Sequence, residues 1–324
     1  MKSLEEITKI ITAEIEQLDW SMSPQGLYAP IKYVLSNGGK RIRPMLVLMG
    51  CEMFSGNIKD AIPAALAIEV FHNFTLLHDD LMDRAEMRRG KPSVHIKWDD
   101  NTAILSGDVM QIKAYQLLAK TPEKYLKQVL DLFSTMACEI CEGQQYDMDF
   151  EKRQDVTAEE YLNMIRLKTS VLLGNALKIG AIIGGASNED ADLLYNVGIN
   201  IGLAFQLKDD LLDVYGNPET FGKKIGGDIL CNKKTYMLIS ALEKAEGDTK
   251  KELQKWIDAV DFNPDEKIKA VTNIYNVLGI KEICERKMVY FYKILVENLK
   301  KVNINLEYKE NLFNLANSLM KREV

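Results

Sequence analysis

The stretch AIPAALAIEVFHNFTLLHDDLMDRAEM, residues 61–87, decides the fold class. Its apolar residues recur at i, i+3 and i+4, which is the spacing of one face of a helix. As far as Met82 most faces of the segment are apolar, so the pattern predicts a helix in the protein interior. The stretch ends in carboxylates, and a buried helix is therefore expected to present acidic side chains.

Helical periodicity also dominates the rest of the chain. Alternating apolar and polar residues, the signal of a half-buried strand, are scarce. The sequence therefore predicts an all-α protein of roughly a dozen helices. No stretch is long and polar enough to be an interdomain linker, so residues 1–324 are expected to form a single domain. Further helices are predicted near residues 3–19, 43–54, 99–118, 122–148, 157–185, 188–214, 233–246, 264–277, 279–301 and 305–320.

Composition excludes several classes of function. The net charge of −6 argues against a nucleic-acid partner. It leaves a polyanionic small substrate open, because divalent metals invert the local field. The N-terminus, MKSLEEITKIITAEIEQLDW, lacks the apolar core of a signal peptide. The longest apolar run, residues 171–186, is too short to cross a bilayer. We therefore expect a soluble, cytoplasmic protein without an integral membrane segment.

One acidic pattern occurs twice, as LHDDLMD at 77–83 and LKDDLLD at 207–213. Residues four apart share a helix face, so each copy gathers its carboxylates within one turn. Such groups on an apolar helix are unfavourable unless they are paired or bind metal. One copy alone would fit a solvated patch, but two copies favour metal. Oxygen ligands select Mg²⁺ over zinc, and protein-bound Mg²⁺ usually bridges phosphate oxygens. The predicted metal-binding residues are Asp79, Asp80, Asp83, Asp209, Asp210 and Asp213.

Basic clusters alternate with the acidic ones. Residues 38–44, GGKRIRP, place cations in a loop that opens a helix, and RRGKP at 88–92 follows the first acidic motif. Lysines at 223–224 and 233–234 follow the second. Each cluster alone is typical of solvated surface. Their alternation with two acidic motifs instead predicts two diphosphates, held by metal ions and by arginine and lysine side chains.

Taken in order, these segments resemble the trans-isoprenyl diphosphate synthases over residues 38–236. The resemblance implies an all-α fold around a deep central cavity, usually in a homodimer. It implies a prenyltransferase that condenses isopentenyl diphosphate with an allylic diphosphate, either dimethylallyl, geranyl or farnesyl. The matching pieces are GGKRIRP, FHNFTLLHDDLMD, RRGKPSVH, Ser106-Gly107-Asp108, Gly143-Gln144-x-x-Asp147, Lys168-Thr169, FQLKDDLLD and GKKIGGDILCNKKT.

The resemblance also implies roles for single residues. Asp79, Asp83 and Asp209 look like the leading ligands of three Mg²⁺ ions that bind together with the allylic diphosphate. Thr169 and Gln206 match positions that face the developing carbocation. Four residues look like the family's cations on the allylic diphosphate, namely Arg88, Lys168, Lys223 and Lys233. Four further residues look like the family's pocket for isopentenyl diphosphate, namely Lys40, Arg43, His72 and Arg89.

Product length is expected to depend on the helix of the first acidic motif. Phe74 and Thr75 lie about one turn before Asp79, and Phe71 lies one turn further. In the family an aromatic residue here accompanies products of fifteen or twenty carbons. Only two residues separate the Asp pair from Asp83, whereas bacterial fifteen-carbon synthases often have four. The expected product is therefore farnesyl or geranylgeranyl diphosphate, with twenty carbons favoured over fifteen and longer chains as the alternative.

Two other functions were weighed. A terpene cyclase also ionises an allylic diphosphate, but it usually has a different second metal motif and no second diphosphate pocket. A non-catalytic helical subunit should have lost aspartates or lysines, whereas both acidic motifs are intact here. The repeat at 207–213 and the loop at 38–44 therefore favour the synthase.

Overall fold

A computed structural model of the chain describes residues 2–54, 56–217 and 225–320. Its first part is helical apart from one short antiparallel hairpin, β1 (Met87–Arg88) and β2 (Lys91–Pro92). The helices of this part are α1 Leu4–Glu16, α2 Gln25–Ser36, α3 Ile42–Met53, α4 Ile58–Met82, α5 Val94–Lys97 and α6 Asp100–Leu118.

The remaining described residues are helical as well, so the all-α prediction is confirmed. A π-helical turn, Arg166–Ser170, separates α8 from α9. The helices are α7 Glu123–Lys152, α8 Ala158–Ile165, α9 Val171–Gly184, α10 Asn188–Tyr215, α11 Gly227–Leu230, α12 Tyr236–Lys244, α13 Gly247–Asp258, α14 Pro264–Leu278, α15 Ile280–Lys301 and α16 Leu306–Met320.

Contacts between residues divide the chain into two compact units, each made of several segments. The first unit comprises Met1–Ser134, Asn175–Tyr195 and Asn303–Asn311. The second comprises Thr135–Gly174, Asn196–Val302 and Leu312–Val324. The single domain expected from the sequence stays a prediction.

In the first unit, glycines let α3 and α9 approach each other closely. A Cβ on Gly180 would lie 2.0 Å from the carbonyl oxygen of Val47, and one on Gly184 would lie 2.5 Å from that of Cys51. Neither distance is compatible with a side chain, so both positions need glycine. Gly185 differs, because it follows the last helical residue at φ +90° and ends the helix.

A buried arginine joins three elements of the first unit. Arg41 caps the start of α3 and donates through Nη2 to the Leu35 carbonyl at 2.7 Å. Its Nη1 forms an ion pair with buried Glu69 on α4. The sequence places Lys40, Arg41 and Arg43 together in a loop. In the structure Arg41 instead belongs to the core, and Arg43 lies in the first turn of α3.

Other boundaries also differ from the sequence prediction. The helix expected over residues 61–87 ends at Met82, and Arg84 adopts φ 52° before the hairpin begins. Four helices of the described residues were not predicted, namely α2, α13 and the four-residue helices α5 and α11. Helix α2 contains Pro30, which disrupts the apolar pattern. Helix α13 is polar and buries only Leu253 among its residues, so its periodicity is weak.

Two helical stretches are long and apolar enough to cross a membrane, Ile58–Met82 and Ala158–Gly184. Within their most apolar windows, 67% and 78% of the residues are buried inside the protein. Burial of this kind is expected of the core helices of a folded domain.

Candidate active site

The first acidic motif lies at the end of α4. Asp80 is 5% exposed, Asp79 is half-buried and Asp83, the C-cap of the helix, is exposed. Arg88 on β1 donates to Asp80 Oδ1 from Nε at 2.8 Å and also from Nη2. Its Nη2 lies 3.4 Å from Asp79 Oδ2. Arg88 therefore holds the middle carboxylate and also approaches Asp79, while Asp83 is exposed.

Burial raises the pKa of Asp80, although the hydrogen bond and the charge of Arg88 oppose this shift. The hairpin is what brings Arg88 back to the helix that carries Asp80. The chain turns back toward α4 at Ala85, whose N–H donates to the Asp80 carbonyl at 2.9 Å. The turn after Met82 is therefore needed to place the arginine on the carboxylate.

The second acidic motif lies within α10. Asp210 is 5% exposed, whereas Asp209 and Asp213 are half-buried. The hydroxyl of buried Tyr161 donates to Asp210 Oδ2, and Gln206 Nε2 donates to Oδ1 at 3.1 Å. Burial, aided by the nearby charge of Asp228, raises the pKa of Asp210 to about 7. Here the middle carboxylate is held by neutral donors.

The π-helical turn positions Lys168 and Thr169 in the second unit. It is closely contacted from two sides, since a Cβ on Gly143 of α7 would lie 2.3 Å from Lys168 N. On the other side, a Cβ on Gly202 of α10 would lie 2.6 Å from the Cα of Ser170. Turns of this type recur at functional sites. As a result Thr169 Oγ1 lies 3.4 Å from Gln206 Oε1, to which it donates.

Asp147 on α7 gathers two of the predicted diphosphate lysines. Lys168 Nζ lies 2.7 Å and Lys233 Nζ 3.8 Å from its Oδ2. Burial opposes the ionisation of Asp147, but Lys233 and Lys168 outweigh burial and hold its pKa below the ordinary value. Lys223, the remaining predicted cation of this group, lies outside the described residues.

The predicted isopentenyl diphosphate residues fall in the first unit. His72 is buried, and burial together with Arg43, Arg89, Arg88 and Arg41 lowers its pKa well below the ordinary value. The histidine is therefore neutral at physiological pH. Arg89 donates from Nη1 to the Gly38 carbonyl, and its guanidinium carbon lies 2.9 Å from where a Cβ of Gly39 would be. Lys40 is exposed in the same turn.

The chain-length candidates form part of a buried aromatic column. The Phe74 ring packs edge-on against His78 at 4.8 Å between centroids and lies 5.3 Å from Phe71. Phe71 packs in turn against Phe133 of α7 at 5.2 Å. Thr75 instead donates to the His72 carbonyl at 2.8 Å.

Three features of the site were missed by sequence reasoning. Tyr161 was not singled out, because a lone tyrosine in an amphipathic helix gives no signal. Phe133 was overlooked since its contact with Phe71 depends on tertiary packing. Asp147 belonged to a recognised motif but received no role, and its position between two lysines is the finding that gives it one.

The residues present fit magnesium. Among the described residues, no group of three or more His, Cys, Asp or Glu side chains is assembled to hold a metal by itself. Mg²⁺ commonly retains waters and uses one or two carboxylates together with substrate phosphates. The outer aspartates of both motifs meet this requirement, since they carry oxygen ligands and reach solvent.

Comparisons with known proteins agree with this reading. The model of the polyprenyl synthetase family matches residues 24–275. The geranylgeranyl diphosphate synthase of Methanosarcina mazei is 46% identical over 237 residues, which cover 72% of this chain and 73% of that protein.

Solved structures show the same likeness. A crystal structure of a geranylgeranyl pyrophosphate synthase superposes with a TM-score of 0.95 at 45% identity, covering all of both chains. The Corynebacterium glutamicum geranylgeranyl pyrophosphate synthase, complexed with isoprenyl diphosphate and magnesium, gives a TM-score of 0.89 at 27% identity. That match covers 99% of this chain and 100% of the neighbour.

The helical fold and paired acidic motifs thus define a prenyltransferase that uses divalent metal. More specifically, the chain belongs to the polyprenyl synthetase family, as a short-chain trans-isoprenyl diphosphate synthase.

Proposed function

We propose that this enzyme makes a twenty-carbon trans-prenyl diphosphate, geranylgeranyl diphosphate, by adding isopentenyl diphosphate to allylic diphosphates. The main observation behind the assignment of its site is that the two acidic motifs have the same arrangement. In each motif the protein itself holds the middle aspartate, and the outer aspartates reach solvent. The outer aspartates are the more exposed members of each motif, so they are the carboxylates that metal ions and substrate phosphates can reach from solvent.

Asp79, Asp83, Asp209 and Asp213 would hold the metal, which we propose to be three Mg²⁺ ions. When bound, Mg²⁺ neutralises the leaving diphosphate and so favours ionisation of the allylic carbon–oxygen bond. Asp80 and Asp210, which the sequence also groups with the metal-binding residues, are proposed to support the neighbouring ligands rather than bind metal themselves. Their contacts with Arg88 and with Tyr161 and Gln206 support this role.

The cations of the allylic subsite are proposed to be Arg88, Lys168, Lys223 and Lys233. In the protein as described, Asp147 holds Lys168 and Lys233 as a pair. A diphosphate carries more charge than one carboxylate, so it would draw both ammonium groups toward its oxygens. Thr169 and Gln206 form one hydrogen-bonded pair beside Lys168, and their oxygen dipoles would stabilise positive charge on the allylic carbon.

The isopentenyl diphosphate subsite is proposed to consist of Lys40, Arg43, His72 and Arg89. Charge-assisted hydrogen bonds from arginine suit diphosphate oxygens. Neutral His72 can still donate one ring N–H, without adding a positive charge next to the arginines. The proton lost after condensation is proposed to go to the departed diphosphate.

Product length is proposed to be limited by Phe74, with Phe71 and Thr75 beside it. The packing of Phe74 between His78 and Phe71 supports this placement, because the aromatic column continues from the acidic motif toward Phe133. Phe74→Ala should therefore lengthen the product by one or more five-carbon units.

The test is chromatography of dephosphorylated products formed from isopentenyl diphosphate, each allylic primer and Mg²⁺. Phe291→Ala, which removes a buried aromatic ring from α15 in the other unit, is the matched control and should leave product length unchanged. Products longer than twenty-five carbons from the natural sequence would establish the alternative, a longer-chain synthase. Unchanged products from Phe74→Ala would place the limit elsewhere.

We also propose a cytoplasmic homodimer. Helix α6 exposes Ile104, Leu105 and Ile112 by 43%, 58% and 58%. An exposed apolar face of this kind favours a protein partner. Light scattering at micromolar concentration should give the mass of a dimer, and Leu105→Glu together with Ile112→Glu should give a monomer. A monomer from the natural sequence would contradict the proposal.

A further inference from the structure

The segment Ser106-Gly107-Asp108 of α6 is one of the pieces that resemble the family, but it belongs to neither acidic motif. Its glycine packs against His78 of α4. A Cβ on Gly107 would lie 2.1 Å from His78 Nε2 and 2.5 Å from His78 Cδ2. The imidazole therefore occupies the space that any larger residue at position 107 would need.

A hydrogen bond also holds the imidazole against α6. His78 Nε2 lies 3.2 Å from the carbonyl oxygen of Ile104, which precedes Gly107 on the same helix. A carbonyl oxygen only accepts hydrogen bonds, so Nε2 carries the hydrogen and donates it. The ring is thus fixed on α6 by close contact with the glycine and by one directed hydrogen bond.

The same ring contacts the residue that is proposed to limit product length. His78 and Phe74 lie four residues apart, so they share one face of α4. Their ring centroids are 4.8 Å apart and the ring planes meet at 69°, which is the edge-to-face arrangement that aromatic pairs prefer. The imidazole therefore fills space into which the Phe74 ring could otherwise rotate.

Helix α6 also holds the other end of the aromatic column. Tyr115 packs edge-on against Phe133 at 5.1 Å between centroids, and Phe133 contacts Phe71. Tyr115 lies about two turns after Gly107 on the same helix. One helix thus supports the column at both ends, through Tyr115 and through the glycine that accommodates His78.

We propose that His78 is a positioning residue that sets product length by holding Phe74 in place. The inference rests on the proposed function, because it requires Phe74 to limit the growing chain. His78 acts through Phe74, while Gly107 and the Ile104 carbonyl act through His78. Without the imidazole, the Phe74 ring can turn into the vacated space, and the chain can then extend past it.

Product analysis with isopentenyl diphosphate, an allylic primer and Mg²⁺ tests this role. His78→Ala should shift part of the product to chains one five-carbon unit longer, which is a smaller shift than that of Phe74→Ala. In the Phe74→Ala background, His78→Ala should add no further length, because the residue through which it acts is gone. Product length is read from the distribution of chains, so a slower variant is still informative.

His95→Ala is the matched control for the loss of an imidazole. His95 is a buried histidine of the same unit, on α5, and it takes no part in the ring contacts that form the column. Its replacement should leave product length unchanged. Lengthening by His95→Ala equal to that by His78→Ala would overturn a specific role for His78.

The outcomes separate the inference from the function on which it rests. Unchanged products from Phe74→Ala would overturn the proposed length limit, and the role of His78 with it. Longer products from Phe74→Ala together with unchanged products from His78→Ala would overturn the role of His78 alone. Further lengthening in the double variant would do the same, since His78 would then act independently of Phe74.

Melting temperatures test the contact itself without any need for activity. Gly107→Ala should lower the melting temperature, because its Cβ meets the imidazole of His78. In the His78→Ala background the imidazole is absent, so the same change should leave the melting temperature unchanged or raise it, since alanine favours a helix more than glycine does. An equal loss of stability from Gly107→Ala in both backgrounds would overturn the proposal, because the glycine would then not serve to seat His78.

Discussion

The two acidic motifs share the pattern Leu-x-Asp-Asp-Leu-x-Asp but differ in what surrounds the middle aspartate. In the first motif Asp80 is paired with the guanidinium of Arg88. In the second, Asp210 accepts hydrogen bonds from Tyr161 and Gln206, which carry no charge. Both carboxylates are buried to the same degree.

The difference shows that the repeated pattern determines which helix face carries the aspartates. It does not determine which side chains hold the middle aspartate. In each motif, helical spacing places the two outer aspartates on one face. The middle aspartate then points toward the protein interior. Burial raises the pKa of both middle carboxylates, and the partner of each opposes this shift, an arginine more strongly than neutral donors. The motifs are thus equivalent as ligand sets, but their supports respond differently to substitution and to pH.

The largest expected effect separates outer from middle aspartates within each motif. Asp79→Asn or Asp209→Asn removes a charged oxygen ligand and should lower kcat by about 10²–10³-fold. Asp80→Asn and Asp210→Asn should lower kcat less, because they retain the shape of the side chain that the protein holds. Steady-state kinetics at saturating Mg²⁺ measure the contrast. A middle-aspartate variant with the larger loss would reverse our assignment of ligands and supports.

Next in size is the loss of each support. Arg88→Ala leaves Asp80 buried without its cation and should lower the free energy of unfolding by about 3 kcal/mol. Tyr161→Phe removes one of two hydrogen bonds to Asp210 and should cost about 1 kcal/mol. Denaturant unfolding without metal measures both.

Arg84→Ala is the matched control for the arginine. Its Nη1 lies 2.8 Å from Asp100 Oδ2, but both side chains are largely exposed, so the pair should contribute about 0–1 kcal/mol. Equal effects of Arg88→Ala and Tyr161→Phe would remove the distinction between a charged and a neutral support.

Much of the helical fold could be predicted from the sequence, because buried helices such as α4 and α10 repeat their apolar residues at helical spacing. The end of α4 could not, since the run 83–87 still fits a helix while the chain turns at Arg84. Helix α13 escaped for the opposite reason, as it buries too little apolar surface to leave a pattern.

The residues of the candidate site likewise fall into those that the sequence could predict and those that it could not. Local spacing predicted the aspartates, and the family resemblance predicted the Lys168-Thr169 pair. Contacts between distant residues could not be read, so Asp147 lacked its role as the partner of two lysines and Tyr161 was not considered. The cations at 40–43 were grouped as one loop, although Arg41 forms an ion pair with Glu69 in the core.

A smaller effect should appear in the dependence of stability on pH. The pKa of Asp210 is raised to about 7 in the folded protein, so this residue binds a proton that the unfolded chain has already lost. Its stabilising contribution is complete below the ordinary pKa of aspartate, falls as pH rises toward 7 and is constant above. Asp210→Asn should therefore flatten the fall in melting temperature between about pH 4 and 7. Parallel curves for the variant and the natural protein, measured without divalent metal, would contradict this.

The smallest effect concerns the loop that approaches the hairpin of the first motif. Gly39 has φ +127°, and a Cβ there would lie 2.9 Å from the guanidinium of Arg89. Gly38 has φ +72° and nothing within 4 Å of its Cβ position. Both positions disfavour alanine for conformational reasons, so Gly38→Ala and Gly39→Ala should each lose stability.

Only Gly39→Ala also displaces Arg89, and it should raise KM for isopentenyl diphosphate about tenfold, the equivalent of one charge-assisted hydrogen bond. The allylic KM should be unchanged, since Arg88 is held separately by its hydrogen bonds to Asp80. Equal KM values for the two variants would mean that backbone strain, and not the position of Arg89, controls this subsite.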